Sequence, residues 1–194
     1  MPWGDYGRVL LDGMSSHLPR LDGRIQLERS GPFVPPVTFP TRKDVLVANS
    51  VRAVLEDAGW SPSLFRPVDK ARIVPIHWET WDLLAPNPQY VPQSRSPEDY
   101  ILEPPHDQQA SDAMGLLWEL DPPVVGIGTF ERLKTRPVSY RVRLVIPSSV
   151  PPIFRANGTQ IVFARDDAAT LLAKAAQCDY PFTAAPVEVT VADS

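Results

Sequence analysis

The sequence predicts an α+β or α/β protein built around a duplicated strand-helix-strand unit, with a mixed or antiparallel sheet and proline-rich loops. Three observations predict it. Residues 45–68 (VLVANSVRAVLEDAGWSPSLFRPV) and 161–187 (IVFARDDAATLLAKAAQCDYPFTAAPV) share one pattern: an apolar strand, a polar cap, an amphipathic helix, an aromatic residue and a Pro-Val pair. In both, small or aliphatic residues recur at i, i+3, i+4 and i+7, which lines one face of a helix: Val51, Val54, Leu55 and Ala58 in the first, Ala168, Leu171, Leu172 and Ala175 in the second. Proline occurs 23 times in 194 residues, punctuating the chain with fixed turns and strand edges rather than long helices. Two such units must share or stack sheets to bury their apolar stripes. The expectation is one compact domain over residues 1–194, or two pseudo-repeated lobes of about 1–105 and 106–194.

Taken in order, the segment GRIQLERS reads as an edge strand, and Pro35-Pro36 lead into the first unit as extended chain, because a residue before proline avoids the helical region. Asn49 and Ser50 stand where the first helix needs side-chain oxygens for its orphan amides, and Gly59 supplies a left-handed end. Ile73, Val74 and Ile76 predict a strand ending near His77. Residues 86–105 read as a long ordered loop, a length that is uncommon inside a domain and often functional. Asp107 opens a helix carrying Ala110, Ala113, Met114 and Leu117, running toward Trp118 and stopped by Pro122-Pro123. Residues 124–130 and 138–146 read as strands. Pro151-Pro152 precede the second unit as Pro35-Pro36 precede the first, and Asp166 is placed to cap the second helix.

Composition excludes several function classes. No apolar run approaches the roughly 18 residues of a membrane helix, and the N-terminus lacks the pattern of a secretory signal, so the expectation is a cytoplasmic protein off the membrane. The net charge of −4 argues against nucleic acid as the main partner. Cys178 is the single cysteine, which excludes an internal disulfide and a thiolate-rich zinc cage, and its place beside the second helix suits a small core residue. Charge is unevenly laid out: residues 96–131 hold no lysine or arginine but carry Glu98, Asp99, Glu103, Asp107, Asp112, Glu119, Asp121 and Glu131, and Arg132, Lys134, Arg136, Arg141 and Arg143 follow. Either the acidic and basic segments are neighbours that neutralise each other, or the acidic one faces a cationic partner.

Catalytic, cofactor and metal motifs are not found. Gly126-Ile127-Gly128 lacks the third glycine and following helix of a dinucleotide fingerprint. His17, His77 and His106 are dispersed, and none has the spacing that puts two on one helix face. The best constellation is HWETWD, in which Trp78 and Trp81 could wall a pocket around His77, Glu79 and Asp82 and raise a carboxyl pKa by desolvation, as a general acid requires. The alternative is that the tryptophans pack where strand turns to loop and the polar residues stay wet or cap a turn. His106, after Pro104-Pro105, suits a cap or turn.

The unit VLVANSVRAVLEDAGW followed by FRPV resembles a motif of bacterial immunity proteins of polymorphic toxin systems, including the double-CxxCG type: an apolar strand, a cap, a helix of the R-x-x-L-E type and an aromatic-x-Pro-Val strand. WETWDLLAPNPQYVPQSRSPEDYI and the helix ending LLWEL are similar to members of such families too. The chain departs from them in having no CxxC element, which removes any zinc site. The resemblance implies a cytoplasmic protein that neutralises a cognate toxin domain by occlusion, with no catalytic residues, cofactor or metal. Under it, the 86–105 loop offers tyrosines as rigid anchors and carboxylates as steering groups, so Tyr90, Glu98, Asp99, Tyr100 and Glu103 are the partner-binding candidates. The alternative is a small hydrolase or ligand-binding enzyme that uses His77, Glu79 and Asp82.

Overall fold

Runs of β-branched and aromatic residues, cut short by Pro, Gly and Asp, give many brief strands and few helices. The computed structural model describes residues 16–41, 43–82, 84, 104–133, 139–159, 161–176 and 187–191. Their elements are β1 (Ser16–Leu21), β2 (Arg24–Gly31), β3 (Val37–Thr38), β4 (Val45–Ala48), α1 (Asn49–Asp57), β5 (Phe65–Pro67), β6 (Asp69–Pro75), α2 (Gln108–Ala113), β7 (Leu117–Leu120), β8 (Val124–Leu133), β9 (Ser139–Ile146), β10 (Ile153–Asn157), β11 (Val162–Ala164), α3 (Asp166–Ala176) and β12 (Glu188–Val191). The class is mixed α+β. No helix among the described residues is long and apolar enough to cross a membrane.

Three sheets carry the strands: β1-β2-β6, β3-β4-β7-β5 and β11-β10-β8-β9-β12. The second is antiparallel throughout, with β7 pairing both β4 and β5; the other two mix parallel and antiparallel neighbours. Alternation along β7 explains how the layers stack. Leu120 joins a core with Val51 and Leu55 of α1 and Ala168 and Leu172 of α3, and Trp118 packs against the same core. Leu117 points the other way, into a core with Ile25, Leu27, Ile73 and Met114. The second sheet is therefore covered by α1 and α3 on one face and by the first sheet on the other. A further core of Leu144, Ile146, Phe154, Ala156 and Phe163 belongs to the third sheet.

The first predicted segment runs strand, helix, strand; the second supplies β11 and α3, residues 177–186 lie outside the described residues, and β12 begins just past the segment's end. Through α1, β4 reaches β5 across one intervening strand, whereas through α3, β11 reaches β12 across three, from one edge of its sheet to the other. Gly59 ends α1 as expected. At φ +89° it lets the Gly59 and Trp60 amides donate to the Glu56 and Leu55 carbonyls at 2.9 and 3.0 Å, while Trp60 folds back beside Leu55 in the core. Asp107 caps α2 as expected, its carboxylate accepting from the Ala110 amide at 2.7 Å.

Five expectations are corrected. The α2 helix stops at Ala113 because Gly115, at φ +67°, turns the chain, and Leu117–Leu120 is the central strand of its sheet. The GRIQLERS segment is the middle strand of its sheet, with β1 and β6 on either side, and buries Ile25, Leu27, Glu28, Arg29 and Ser30. The first residue of α1 is Asn49 itself, and its Oδ1 accepts from the Trp118 indole N–H at 3.0 Å instead of capping; Ala48 precedes the helix with no side-chain cap. Asp166 lies inside the first turn of α3, beside Asp167, where carboxylates favour the helix dipole. On α1 the buried face narrows to Val51 and Leu55, and Val54 stays 44% exposed.

Candidate functional site

The five partner-binding candidates, Tyr90, Glu98, Asp99, Tyr100 and Glu103, lie outside the described residues, as does Cys178. The stems on either side of that loop are described. One stem leaves β6 at Ile76, whose amide donates to Gly31 O at 2.7 Å, and passes into a 3₁₀ turn over Trp78–Thr80. The other returns to the same strand: the Ile73 amide donates to His106 Nδ1 at 3.0 Å, and the Asp107 amide donates to Ile73 O at 2.8 Å. His106 is therefore a turn residue that closes the outer edge of β6, its Nδ1 accepting from the strand.

His77, Glu79 and Asp82 are all exposed. The His77 carbonyl accepts from the Thr80 hydroxyl at 3.1 Å, and Asp82 Oδ1 accepts from the Leu84 amide at 3.0 Å. Each serves its own turn, and no hydrogen bond or ion pair joins their side chains among the described residues. Among those residues, too, no group of three His, Cys, Asp or Glu could hold a metal ion.

The charged groups that do converge were not signalled by any motif. At the junction of the three sheets, Arg20 of β1 donates in a fork to Glu119 of β7, Nη1 to Oε2 and Nη2 to Oε1 at 2.7 Å each, and Nη2 also reaches Asp44 Oδ1 at 3.0 Å. Arg66 of β5 pairs with Asp121 and donates to Gly23 O at 2.9 Å. Arg155 of β10 stands 3.9 Å from Glu119 Oε1 and 3.6 Å from Asp121 Oδ1. Glu119 and Asp44 are buried, and guanidinium groups and the Thr41 hydroxyl, 2.5 Å from Asp44 Oδ2, stand where water would otherwise be their partner. The Glu119 hydrogen bond, the largest influence, holds the Arg20 guanidinium above its ordinary pKa. Three arginines meet three carboxylates, a balanced set that joins sheets.

A second set lies on β2. Arg29, 1% exposed, donates from Nε to Ser30 O at 3.0 Å and from Nη2 to Phe33 O at 3.3 Å, serving the proline-rich turn after its own strand. Glu28 on the same strand meets Arg72 Nε at 3.4 Å. A glutamate inside the apolar run LWEL, and Glu-Arg inside GRIQLERS, are the signals from which sequence could have found these buried charges.

The motif residues of the first unit are also accounted for. Arg52 pairs with Glu56 one turn on at 2.8 Å, and its guanidinium lies over the Trp118 ring. Leu55, Trp60, Phe65 and Val68 are buried. Compared with family models, with curated proteins and with solved structures, the chain finds no match.

Proposed function

We propose that the protein is an immunity factor: it binds a cognate bacterial toxin domain in the cytoplasm and neutralises it by occlusion, without catalysis, cofactor or metal. The observation that carries this reading is the fate of the R-x-x-L-E helix and its closing strand. Arg52, Leu55, Glu56, Phe65 and Val68 are each spent on packing or pairing within the body. Such a motif marks a scaffold, and leaves recognition to what the scaffold presents. The stems that flank the 86–105 loop are tied to neighbouring strands, His106 and Asp107 to β6 through Ile73 and Ile76 to β2 through Gly31. A loop whose flanking stems are fixed loses less entropy on docking, and Tyr90, Glu98, Asp99, Tyr100 and Glu103 are the residues on it suited to anchor and steer. We read the two strand-helix-strand segments as one unit used twice to build that scaffold.

Co-expression with the toxin domain encoded by the adjacent gene, followed by size-exclusion chromatography, tests the proposal: the two chains co-elute. Alanine at Glu98, Asp99 and Glu103 together slows association at low ionic strength by about tenfold and changes dissociation little. Separate elution of two folded chains would sink the reading.

A further inference from the structure

β1 differs from the other strands in what holds it. Its hydrogen-bond ladder with β2 is interrupted, the register shifting between Leu18 and Leu21, and the break contains Pro19, which has no amide to donate. Its apolar side chains do not fasten it either: Leu18 is 46% and Leu21 61% exposed, while the partner strand β2 buries Ile25 and Leu27. What ties β1 to the second sheet is Arg20, whose fork takes both oxygens of Glu119 and one of Asp44. Arg20 Nη1 also donates to Gly23 O at 3.0 Å, tensioning the tight turn in which Asp22 and Gly23 both have positive φ.

The site that receives the fork has a second donor in reserve. Arg155 Nη2 donates weakly to Lys43 O at 3.4 Å and is 3.9 Å from Glu119 Oε1, just outside hydrogen-bond range, and Arg155 Nε is buried with no partner among the described residues. Asp44 keeps the Thr41 hydroxyl whether or not Arg20 is there. A buried carboxylate left without a cation is costly, so a second cation about an ångström from hydrogen-bond range lowers the cost of opening at Glu119. The geometry points to two arrangements of one network.

We propose that β1 is a releasable arm, held closed by the Arg20 fork on Glu119 and Asp44 and allowed to open because Arg155 takes over Glu119 when the fork leaves. This goes beyond the immunity reading and does not depend on it. Opening costs the charge-assisted bonds of one guanidinium and the interrupted β1–β2 ladder, and leaves the three apolar cores intact. It frees one edge of β2 for backbone pairing.

Amide hydrogen exchange on the full chain tests the arm. In Arg20→Gln, the amides of β1 exchange at least about tenfold faster than in the wild type, the loss of one or two charge-assisted hydrogen bonds, while those of Val47, Leu55 and Leu172 change less than about twofold. Arg20→Lys, which keeps the charge and loses the fork, falls between, and serves as the readout should the glutamine variant not fold. Arg155→Met slows β1 exchange, because the open state then leaves Glu119 without a cation. Unchanged β1 exchange in both Arg20 variants overturns the proposal. So does a rise spread evenly through the cores, or faster β1 exchange in Arg155→Met.

Discussion

The Arg52 guanidinium carbon lies 3.7 Å from the centroid of the Trp118 ring, and 5.5 Å from that of Phe65, so one cation of α1 is stacked on two neighbouring strands of the sheet beneath it. The same side chain pairs with Glu56, and the Trp118 indole N–H is fixed by Asn49. Arg52 thus clamps the first helix to β7 and β5 at the point where the apolar contact of Val51 and Leu55 ends.

Arg52→Ala should lower unfolding stability by about 1–2 kcal/mol, most of it from the lost ring contact. Glu56→Gln, which removes only the half-exposed ion pair, should cost about 0.5 kcal/mol or less. Urea denaturation followed by tryptophan fluorescence separates the two. Equal losses would show that the ion pair, and not the stacking, holds the helix down.

Two glycines with positive φ should respond unequally to alanine. At Gly59 a Cβ would meet nothing within 4 Å, so the cost is the left-handed backbone alone, about 1 kcal/mol. At Gly126, φ +73°, the same atom would collide with the Val145 carbonyl oxygen and press on Ile146, forcing β8 off β9 at the bulge where β8 spends an extra residue against β10. Gly126→Ala should therefore cost about 3 kcal/mol or more. Thermal unfolding of the two variants side by side checks the order, and a smaller shift for Gly126→Ala would refute it.

Acid should act partly through Asp167. Its hydrogen bond to Arg165 holds the carboxyl below its usual range, the two side chains meeting in a fork at 2.6 and 3.0 Å. A carboxyl lowered in the folded state adds stability that is present above its unfolded value, about 4, and lost as pH falls through the folded one. The stability gap between wild type and Asp167→Asn should accordingly be widest near pH 6 and shrink as pH falls below the ordinary carboxylate range. Denaturant midpoints of both proteins across that range test it; a gap that persists in acid would assign the effect to something other than the charge.

Much of the local structure was legible because it is written in single residues. Gly59 ends its helix and Asp107 begins one for reasons that need no tertiary partner. Leu117–Leu120 was misread as helix because Ala110, Ala113, Met114 and Leu117 keep helical spacing across Gly115, and only pairing with both β4 and β5 decides for a strand. GRIQLERS was read as an edge strand because its polar residues look solvated. In the fold Glu28 is paired with Arg72 and the Arg29 donors reach backbone carbonyls, so the charges are buried with partners that are distant in sequence or belong to a turn. The same blindness hid the Arg20 and Glu119 pair, 99 residues apart. The proximity of His77, Glu79 and Asp82 along the chain, by contrast, overstated their convergence in space.

Because β4 and β5 are not hydrogen-bonded to each other and are joined through β7, the first strand-helix-strand segment cannot close its sheet by itself. During synthesis it must wait, with Val45, Val47 and Phe65 uncovered, until some fifty further residues have left the ribosome. The order of translation thus makes the middle of the chain the timekeeper for its first third, and a truncation before residue 117 should yield a sticky, protease-sensitive fragment rather than a small folded lobe.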